Sequence, residues 1–263
     1  ANNAAMPIIV GAIGVILVGI VLIFIMPETG FNPTPMEDRS TWQHMLHTFN
    51  EGVKSVKTRP RLMYILGVGF FFGLYSEGFD RLWVKHLLDT FQIPILFGGN
   101  QVAFFSLLRF SAGLLTVFVM QFIEKRVDSS SPLSIGKAMM IVTGVIAVGI
   151  IGFALSPLLP LTLGLYLTIY ILCQVKIPLQ TAWVNHKLDP QTRATVHSMT
   201  GQVDAIGQIL GGGSAFIARY FSVVAAIVTS GFLLGPALGL VRRANLQSEY
   251  EAAADDVGEL AGK

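Results

Sequence analysis

The chain is poor in charged residues. Only 13% of its 263 residues are Asp, Glu, Lys or Arg, against about a quarter in an average globular domain. The formal net charge is +2 and Lys and Arg form no long block, so disorder and nucleic-acid binding are poorly supported. Cys173 is the one cysteine, which excludes a disulfide scaffold. Apolar residues are abundant, at 52% with a mean hydropathy of +0.63, and they favour lipid as the solvent.

Sequence signatures of enzymes are also missing. The chain has no Gly-rich phosphate loop, no His-Glu-x-x-His, no Gly-x-Ser-x-Gly and no paired cysteines. His44 and His47 lie three residues apart without further metal ligands nearby, which is typical of a solvated helix face. We therefore expect neither an enzyme nor a bound cofactor or metal. The chain also contains no nucleotide-binding domain of the kind that an ATP-driven process would need.

Long apolar segments alternate with charged ones along the chain. A membrane-spanning helix needs ~20 residues to cross a hydrocarbon core of ~30 Å. Segments of this kind cover residues 7–26, 62–84, 102–123, 138–155, 161–183, 194–218 and 221–241. The sequence predicts an all-α, polytopic helical membrane protein with about seven transmembrane helices.

Positive charge predicts the orientation in the membrane. If the segment after the first span is cytoplasmic, most Lys and Arg residues fall in cytoplasmic loops, and only Lys85 and Arg219 remain in outside loops. This places the N-terminus of the chain outside and the C-terminus in the cytoplasm of a multi-pass protein of the cell membrane. Trp42, Trp83 and Trp183 then lie where an aromatic belt is expected.

The segment after the first span predicts a surface helix. Apolar residues recur there at helical spacing, with Ser40 as N-cap. They are Trp42, Met45, Leu46, Phe49, Val53 and Val56. We expect this helix to lie on the inner membrane surface, with a soluble domain as the alternative packing partner.

Ionisable residues inside the predicted spans mark candidate functional positions. A charge at mid-bilayer costs about 2.5–3.5 kcal/mol on insertion scales, so each needs a partner or a polar cavity. These residues are Glu77, Asp80, Arg81, Arg109, Lys176 and Asp204. Matching depths make the pairs Glu77–Arg109 and Lys176–Asp204 possible, whereas Glu77 can also pair with Arg81 at i+4. The charges either tie helices together or serve binding and proton transfer.

The charged spans follow a repeating order. In the last six spans the order is charged, charged, uncharged, and then the same again. We expect four charged spans around a polar interior, with uncharged spans free to face lipid all round. The strings at residues 83–89 and 183–189, WVKHLLD and WVNHKLD, end the first span of each triplet. Triplets put the two copies on opposite membrane faces, which predicts two inverted three-helix repeats.

Three spans carry further patterns. In 194–218 a polar stripe is followed by three glycines that permit close approach or bending; the stripe is His197, Gly201, Asp204 and Gln208. In 161–183, Pro178 predicts a kink, and Gln174 and Lys176 point about 200° apart on a straight helix, so they share a cavity only if the kink rotates them. In the last span Gly231, Gly235 and Gly239 form a small-residue ladder that indicates tight packing.

Several strings resemble the major facilitator superfamily of transporters, in particular bacterial members of the drug-efflux type. They are Met26-Pro27-Glu28-Thr29-Gly30-Phe31, Ser76-Glu77-Gly78-Phe79-Asp80-Arg81-Leu82-Trp83 and Arg193-Ala194-Thr195-Val196 with Gly201-Gln202 and Gly207-Gln208. The chain departs from the family at residues 211–213, where Gly-Gly-Gly stands in place of Gly-Gly-Pro.

The resemblance implies a domain organisation. Residues 1–26 are the last span of an N-terminal half that is otherwise missing, 27–61 a cytoplasmic linker, 62–243 a six-helix C-terminal half and 244–263 a cytoplasmic tail. We therefore expect a fragment that supplies one wall of a carrier. Its partners are membrane lipid, a small-molecule substrate and the missing half of the same transporter.

The expected function is secondary active transport of a small organic solute, as proton-coupled efflux. The candidate substrate and proton residues are Glu77, Arg109, Lys176, Asp204, Gln208, Gln174, Asp80 and Arg81. Asp204 is the first candidate for the proton site and Glu77 the second. The alternative is a seven-span membrane receptor or structural protein that transports nothing.

Overall fold

The computed structural model describes residues 6–26, 50, 53–54, 56–94, 101–186, 188 and 190–261. It divides into two compact units, residues 1–46 and 47–263. The predicted surface helix lies almost wholly outside the described residues, including its N-cap and the two histidines at 44 and 47. Of its apolar face only Val53 and Val56 are described, and Val56 is buried.

All regular secondary structure in the described residues is helical. The helices are α1 (Met6–Ile25), α2 (Pro60–Thr90), α3 (Gln101–Glu124), α4 (Pro132–Leu155), α5 (Leu159–Asn185), α6 (Pro190–Gly211), α7 (Ser214–Tyr220), α8 (Val223–Phe232) and α9 (Gly235–Ala261). The predicted all-α, polytopic fold class is confirmed.

Five helical stretches of the described chain are long and apolar enough to cross a membrane, fewer than the seven predicted. They are Pro60–Thr90, Gln101–Glu124, Pro132–Leu155, Leu159–Asn185 and Val223–Glu251. In α1 the apolar stretch Gly11–Ile25 is shorter than these. The predicted span 194–218 is not among the five, because its polar stripe lowers the hydropathy and a turn at Gly212 and Gly213 divides it into α6 and α7.

Local sequence explains where the helices begin. Pro132 and Pro60 occupy first-turn positions, where the missing N–H costs nothing. The Ser131 Oγ accepts from the Ser134 backbone N–H at 3.3 Å and caps α4. In the preceding loop Ser130 donates its Oγ–H and backbone N–H to Asp128 Oδ1, at 2.6 and 2.9 Å, and this holds the pKa of Asp128 below its usual value.

The packing of the second unit has the symmetry expected of two repeated triplets. The first triplet is α2, α3 and α4, and the second is α5, α6 and the pair α8 with α9. The first helix of each triplet packs on the second helix of the other, α2 on α6 and α5 on α3. The third helix of each packs on the first helix of the other, α4 on α5 and α9 on α2. This exchange pattern is the one that two repeated triplets would give, and the inversion of one triplet relative to the other stays a prediction.

The helix α4, whose predicted span 138–155 has no charge, does not face lipid all round, although we expected it to be free to do so. It packs against α5, α8 and α9, and its inward side chains are buried. Gly149 lies against Ile169 of α5, and Gly231 of α8 lies against Ile151 and the backbone of Ala147. Absence of charge permits lipid exposure but does not require it, and small residues allow an apolar helix to pack closely on others.

Glycines bring α2 and α6 into backbone contact, and this is the most extensive helix pair in the second unit. A Cβ at Gly73 would overlap the backbone oxygen of Asp204. A Cβ at Gly207 would overlap the oxygen of Phe70, and one at Gly211 the oxygen of Leu74. The predicted close approach therefore occurs along a whole helix face, since each helix supplies glycine where the other supplies backbone.

The predicted ladder in the last span is only partly a packing surface. Gly231 contacts α4, whereas a methyl group added at Gly235 or Gly239 would have no neighbour within 4 Å. The reason is that α8 ends at Phe232 and α9 begins at Gly235. The intervening turn changes the helix register, so the three glycines do not share one face.

A buried arginine joins three helices at the end of the bundle where α2 begins. Arg61 is only 3% exposed, and its Nη1 donates to Glu251 Oε2 of α9 at 2.9 Å. Its Nη2 donates to the backbone oxygen of His186, just after α5, at 3.0 Å. The helix α9 extends to Ala261 and includes most of the residues expected to form a tail. We call this contact the Arg61 clasp.

Replacing Gly207 by Ala should destabilise the bundle by about 1–3 kcal/mol, because the added methyl forces α6 away from the backbone of Phe70. The matched control is Gly201→Ala on the same helix, where nothing lies within 4 Å. The control should be neutral or slightly stabilising. Thermal unfolding of the purified protein in detergent measures both, and equal effects would contradict the close crossing.

Replacing Glu251 by Gln should cost about 1–3 kcal/mol, because it removes the carboxylate bound to a buried guanidinium. The control is Asp89→Asn, which breaks the Lys85–Asp89 pair, whose side chains are 59% and 50% exposed. An exposed pair of this kind contributes only about 0.3–0.5 kcal/mol. Hydrogen exchange at the C-terminal part of α9 should rise for Glu251→Gln alone; equal exchange in both variants would show that the clasp does not hold α9.

Candidate functional site

A cavity of about 350 Å³ opens among the four helices that carry the intramembrane charges. It draws side chains from α2, α3, α5 and α6, as the charge order of the sequence predicted. The lining residues are Phe72, Tyr75, Ser76, Phe79, Asp80, Trp83, Arg109, Tyr166, Ile169, Tyr170, Cys173, Gln174, Lys176, Ile177, Asp204 and Gln208. Aromatic rings form much of this wall, and we call the space the aromatic cavity.

Most of the predicted site residues line the aromatic cavity. They are Asp80, Arg109, Gln174, Lys176, Asp204 and Gln208. Glu77 and Arg81 do not line it. These two form an ion pair one turn apart on α2, beside a separate cavity of about 490 Å³ that α2 shares with α6 and α7. Glu77 and Asp80 lie about 60° apart around α2, so the two cavities border adjacent parts of this helix surface and share Gln208.

The Arg109 guanidinium stacks on aromatic rings. Its central carbon lies 5.6 Å from the ring centroid of Trp83 and 5.2 Å from that of Tyr170. Trp83 is itself stacked on Tyr166, with centroids 4.3 Å apart and planes 25° apart. Cation–π contacts of this kind are worth roughly 0.5–2 kcal/mol and hold the cation without a carboxylate partner. Arg109 has no side-chain hydrogen bond in the described part of the chain.

Lys176 is held in the same way. Its Nζ lies 4.3 Å from the ring centroid of Phe72 on α2. The pair between Lys176 and Asp204 that matching depth made possible is not formed, since no N–O distance of 4.0 Å or less joins them in the described structure. The same is true of Glu77 and Arg109, because Glu77 pairs with Arg81 instead. Matching depth therefore did not decide the partners. Lys176 lies over the ring of Phe72, and Glu77 pairs with its i+4 neighbour Arg81.

The two carboxylates of the cavity have no cation bound to them. Asp204 accepts a hydrogen bond from Gln208 Nε2 at 2.7 Å on the next turn of α6. Asp80 makes no hydrogen bond or ion pair among the described residues, although it lies within electrostatic range of Arg109 and Lys176. The cavity thus contains separated charges of both signs that are not satisfied by one another.

A second cavity of about 320 Å³ continues from the first. It is lined by Lys176, Ile177, Gln180, Thr181, Val184, His197, Thr200, Gly201 and Asp204, and we call it the His197 cavity. Lys176, Ile177 and Asp204 line both cavities, so they lie at the boundary between them, which we call the neck. At the far end His197 Nε2 and Asn185 Oδ1 lie 2.8 Å apart and join α6 to α5. The polar stripe of α6 therefore faces this path, as predicted.

Gln174 and Lys176 both line the aromatic cavity, although they point in nearly opposite directions on a straight helix. Tyr170 and Ile177 lie at intermediate angles on α5 and line the same space. The cavity therefore covers a broad arc of this helix, and the four-carbon stem of Lys176 extends its ammonium to Phe72. The proline that we expected to kink the chain, Pro178, does lie inside α5.

The aromatic lining is the part of the site that the sequence reasoning missed. We expected Trp83 and Trp183 to lie in an interfacial belt, but they are 4% and 0% exposed. A signal was available, because Phe72, Tyr75 and Phe79 precede Trp83 at helical spacing on the face that carries Asp80. Both tryptophan side chains therefore pack inside the helix bundle and do not face lipid at the membrane surface.

Tyr75 and Cys173 meet in the cavity wall. The Tyr75 hydroxyl lies 3.0 Å from the Cys173 Sγ and joins α2 to α5. Tyr75 is 5% exposed, and Cys173 is partly exposed in the cavity. This contact ties α2 to α5 in the wall that both residues form.

Among the described residues no group of three or more His, Cys, Asp or Glu side chains is arranged to hold a metal ion. Comparison with known proteins gives no further guide to the site. The chain matches no protein-family model, no characterised protein and no solved structure.

Proposed function

We propose that this chain forms one half of a secondary active transporter that moves a small organic solute across the cell membrane, as proton-coupled efflux. One observation supports this above all others: four helices direct charged side chains of both signs into one aromatic cavity. Three of those helices are apolar and long enough to span a membrane. Such charges are costly in lipid and are typical of substrate and ion pathways.

Asp204 is the proposed proton site. It lies at the neck between the two cavities, where one group can be reached from both. It accepts a hydrogen bond from neutral Gln208 and has no bound cation, so protonation breaks no ion pair. The other charged groups of the aromatic cavity are Asp80 of α2, Arg109 of α3 and Lys176 of α5, and His197 lines the second cavity. Glu77 is the weaker candidate, because Arg81 already neutralises it.

The proposal that the chain is half of a carrier is supported by the exposed side of the site. Arg109, Gln208 and Asp80 are exposed although they line the cavity. A second half of the same transporter, as in the major facilitator superfamily, would cover this side and complete the cavity. The other partner is lipid, for which exposed apolar side chains such as Phe110 and Phe118 of α3, at 64% and 68%, are suited.

Asp204→Asn should abolish proton coupling while the protein still binds solute, because Asn keeps the hydrogen bonds but cannot carry a proton. The measurement is solute-driven proton movement in vesicles containing the uninterrupted gene product. Asp128→Asn, in the exposed loop between α3 and α4, is the matched control and should couple normally. Unchanged coupling in Asp204→Asn would remove the assignment, and loss in Glu77→Gln alone would transfer it to Glu77.

The proposed orientation places the end of α9 in the cytoplasm, because Lys and Arg concentrate in the loops on that side. A fluorescent protein fused after Lys263 should fluoresce in intact cells, whereas alkaline phosphatase fused there should be inactive. Phosphatase fused at Asp128 gives the control for the cytoplasmic loop between α3 and α4, and it should also be inactive. Active phosphatase at the C-terminus would reverse the topology.

A carrier and a receptor make different predictions for flux. Cells with the uninterrupted gene should accumulate less of an exported solute than cells without it. A receptor would bind the solute and leave its accumulation unchanged.

A further inference from the structure

The charges of the aromatic cavity are balanced but unpaired. Arg109 and Lys176 supply two cations, and Asp80 and Asp204 supply two carboxylates. No cation and carboxylate of this set lie within 4.0 Å of each other in the described structure. A cavity built only to neutralise its own charges would bring them into contact, because pairing offsets the cost of removing each from water. The gaps between them are sites for a ligand's charges.

Both cations lie over aromatic ring faces, and neither side chain forms a hydrogen bond among the described residues, so their donors are available. Trp83 and Tyr170 contact the guanidinium of Arg109 as rings, and Phe72 contacts the Lys176 ammonium. A guanidinium has five N–H donors around its edge, in a geometry that matches a carboxylate with two parallel bonds. The same stacking occupies ring faces that a cationic ligand would otherwise use. Arg109 is therefore arranged to receive an anionic group.

Asp80 is arranged to receive a cationic group of the ligand. It is an acceptor without a donor among the described residues, on the helix face that also presents Tyr75 and Phe79. Its interactions with Arg109 and Lys176 act across a gap and not through a hydrogen bond. An ammonium group placed there would find a carboxylate ready to accept from it.

The net charge of the cavity, which is zero, also limits the net charge of a ligand that can bind there. Arg109 and Asp80 are exposed in this chain, so the argument applies to the cavity once the proposed second half covers it. A ligand with one net charge would then leave the covered cavity with an uncompensated charge, and one unpaired buried charge costs about 3–5 kcal/mol. A zwitterion adds one charge of each sign and leaves the total at zero. Its apolar part would meet the aromatic wall, where edge-to-face and stacked contacts favour another ring.

We propose that the aromatic cavity binds small zwitterionic amino-carboxylates with an aromatic side chain, with the carboxylate on Arg109 and the ammonium on Asp80. This inference rests on the proposed function in one respect, namely that the bound molecule is the solute carried. Lys176 and Asp204, at the neck, are the corresponding pair toward the His197 cavity. A cavity of about 350 Å³ lies within the range for small-ligand sites.

The test is equilibrium binding of labelled phenylalanine and tryptophan to the full-length carrier, with both halves present, in lipid nanodiscs. Each amino acid is competed with its own methyl ester, which has only the ammonium, and its own N-acetyl derivative, which has only the carboxylate. We expect both derivatives to bind at least about tenfold more weakly than the parent, because each leaves either Arg109 or Asp80 without a partner in the covered cavity. This comparison uses the wild-type protein and needs no variant to fold.

Variants assign the two contacts. In Arg109→Gln the parent should bind no better than its methyl ester, and in Asp80→Asn no better than its N-acetyl derivative. Arg126→Gln is the matched control for the first, because Arg126 also stacks on a ring, that of Phe122 at 5.1 Å, but lines neither cavity. Asp89→Asn is the control for the second, since Asp89 pairs with exposed Lys85. Both controls should keep the preference for the zwitterion.

Several outcomes would overturn the inference: failure of both labelled amino acids to bind, equal binding of parent and derivatives, or tighter binding of either derivative. The last would indicate a cation site or an anion site according to the derivative. Failure of the proposed function is separate from these results. Zwitterion binding without flux in vesicles would contradict transport and support the ligand class. Flux of other solutes without zwitterion binding would support transport and contradict the ligand class.

Discussion

The close crossing of α2 and α6 is the contact on which the site depends. Gly73 on one helix and Gly207 and Gly211 on the other let backbone meet backbone without intervening side chains. In lipid the hydrophobic effect contributes little to helix association, so van der Waals contacts in close packing of this kind supply much of the attraction. Because the axes approach so nearly, side chains at the edges of the contact, Asp80 and Asp204 among them, are directed sideways into the space next to α5.

The second feature of the site is that aromatic rings, and not carboxylates, lie against the two cations of the cavity. Arg109 lies between two rings and Lys176 lies on a third. A ring face stabilises a cation without neutralising it, so the charge remains available to a ligand. Elsewhere in the protein the usual solution is found. Arg61, at the end of the bundle, is buried with a carboxylate and a backbone oxygen bound directly to it, and it serves as a tie between helices.

Much of the site could be predicted from residue type and spacing. Hydropathy predicted helices in lipid, and the cost of charge in lipid identified the residues that need a polar space. The order of charged spans named the four helices that line the cavity, because a helix with a buried charge must turn it away from lipid. Pairing could not be predicted in the same way, since it depends on helix rotation. Glu77 faces Arg81, and Lys176 faces Phe72, although Asp204 has a similar depth.

What the sequence determined by itself was the class of the fold, the helices that carry polar groups and the position of each charge along its helix. These follow from one-dimensional quantities, hydropathy and a rise of about 1.5 Å per residue. The tertiary structure alone decided that α4 is packed and α3 exposed, that the tryptophans at 83 and 183 are buried, and that a turn divides the span after His197. It also decided that the cations rest on rings. Each of these depends on which helix faces come together, and close packing between distant residues settles that question.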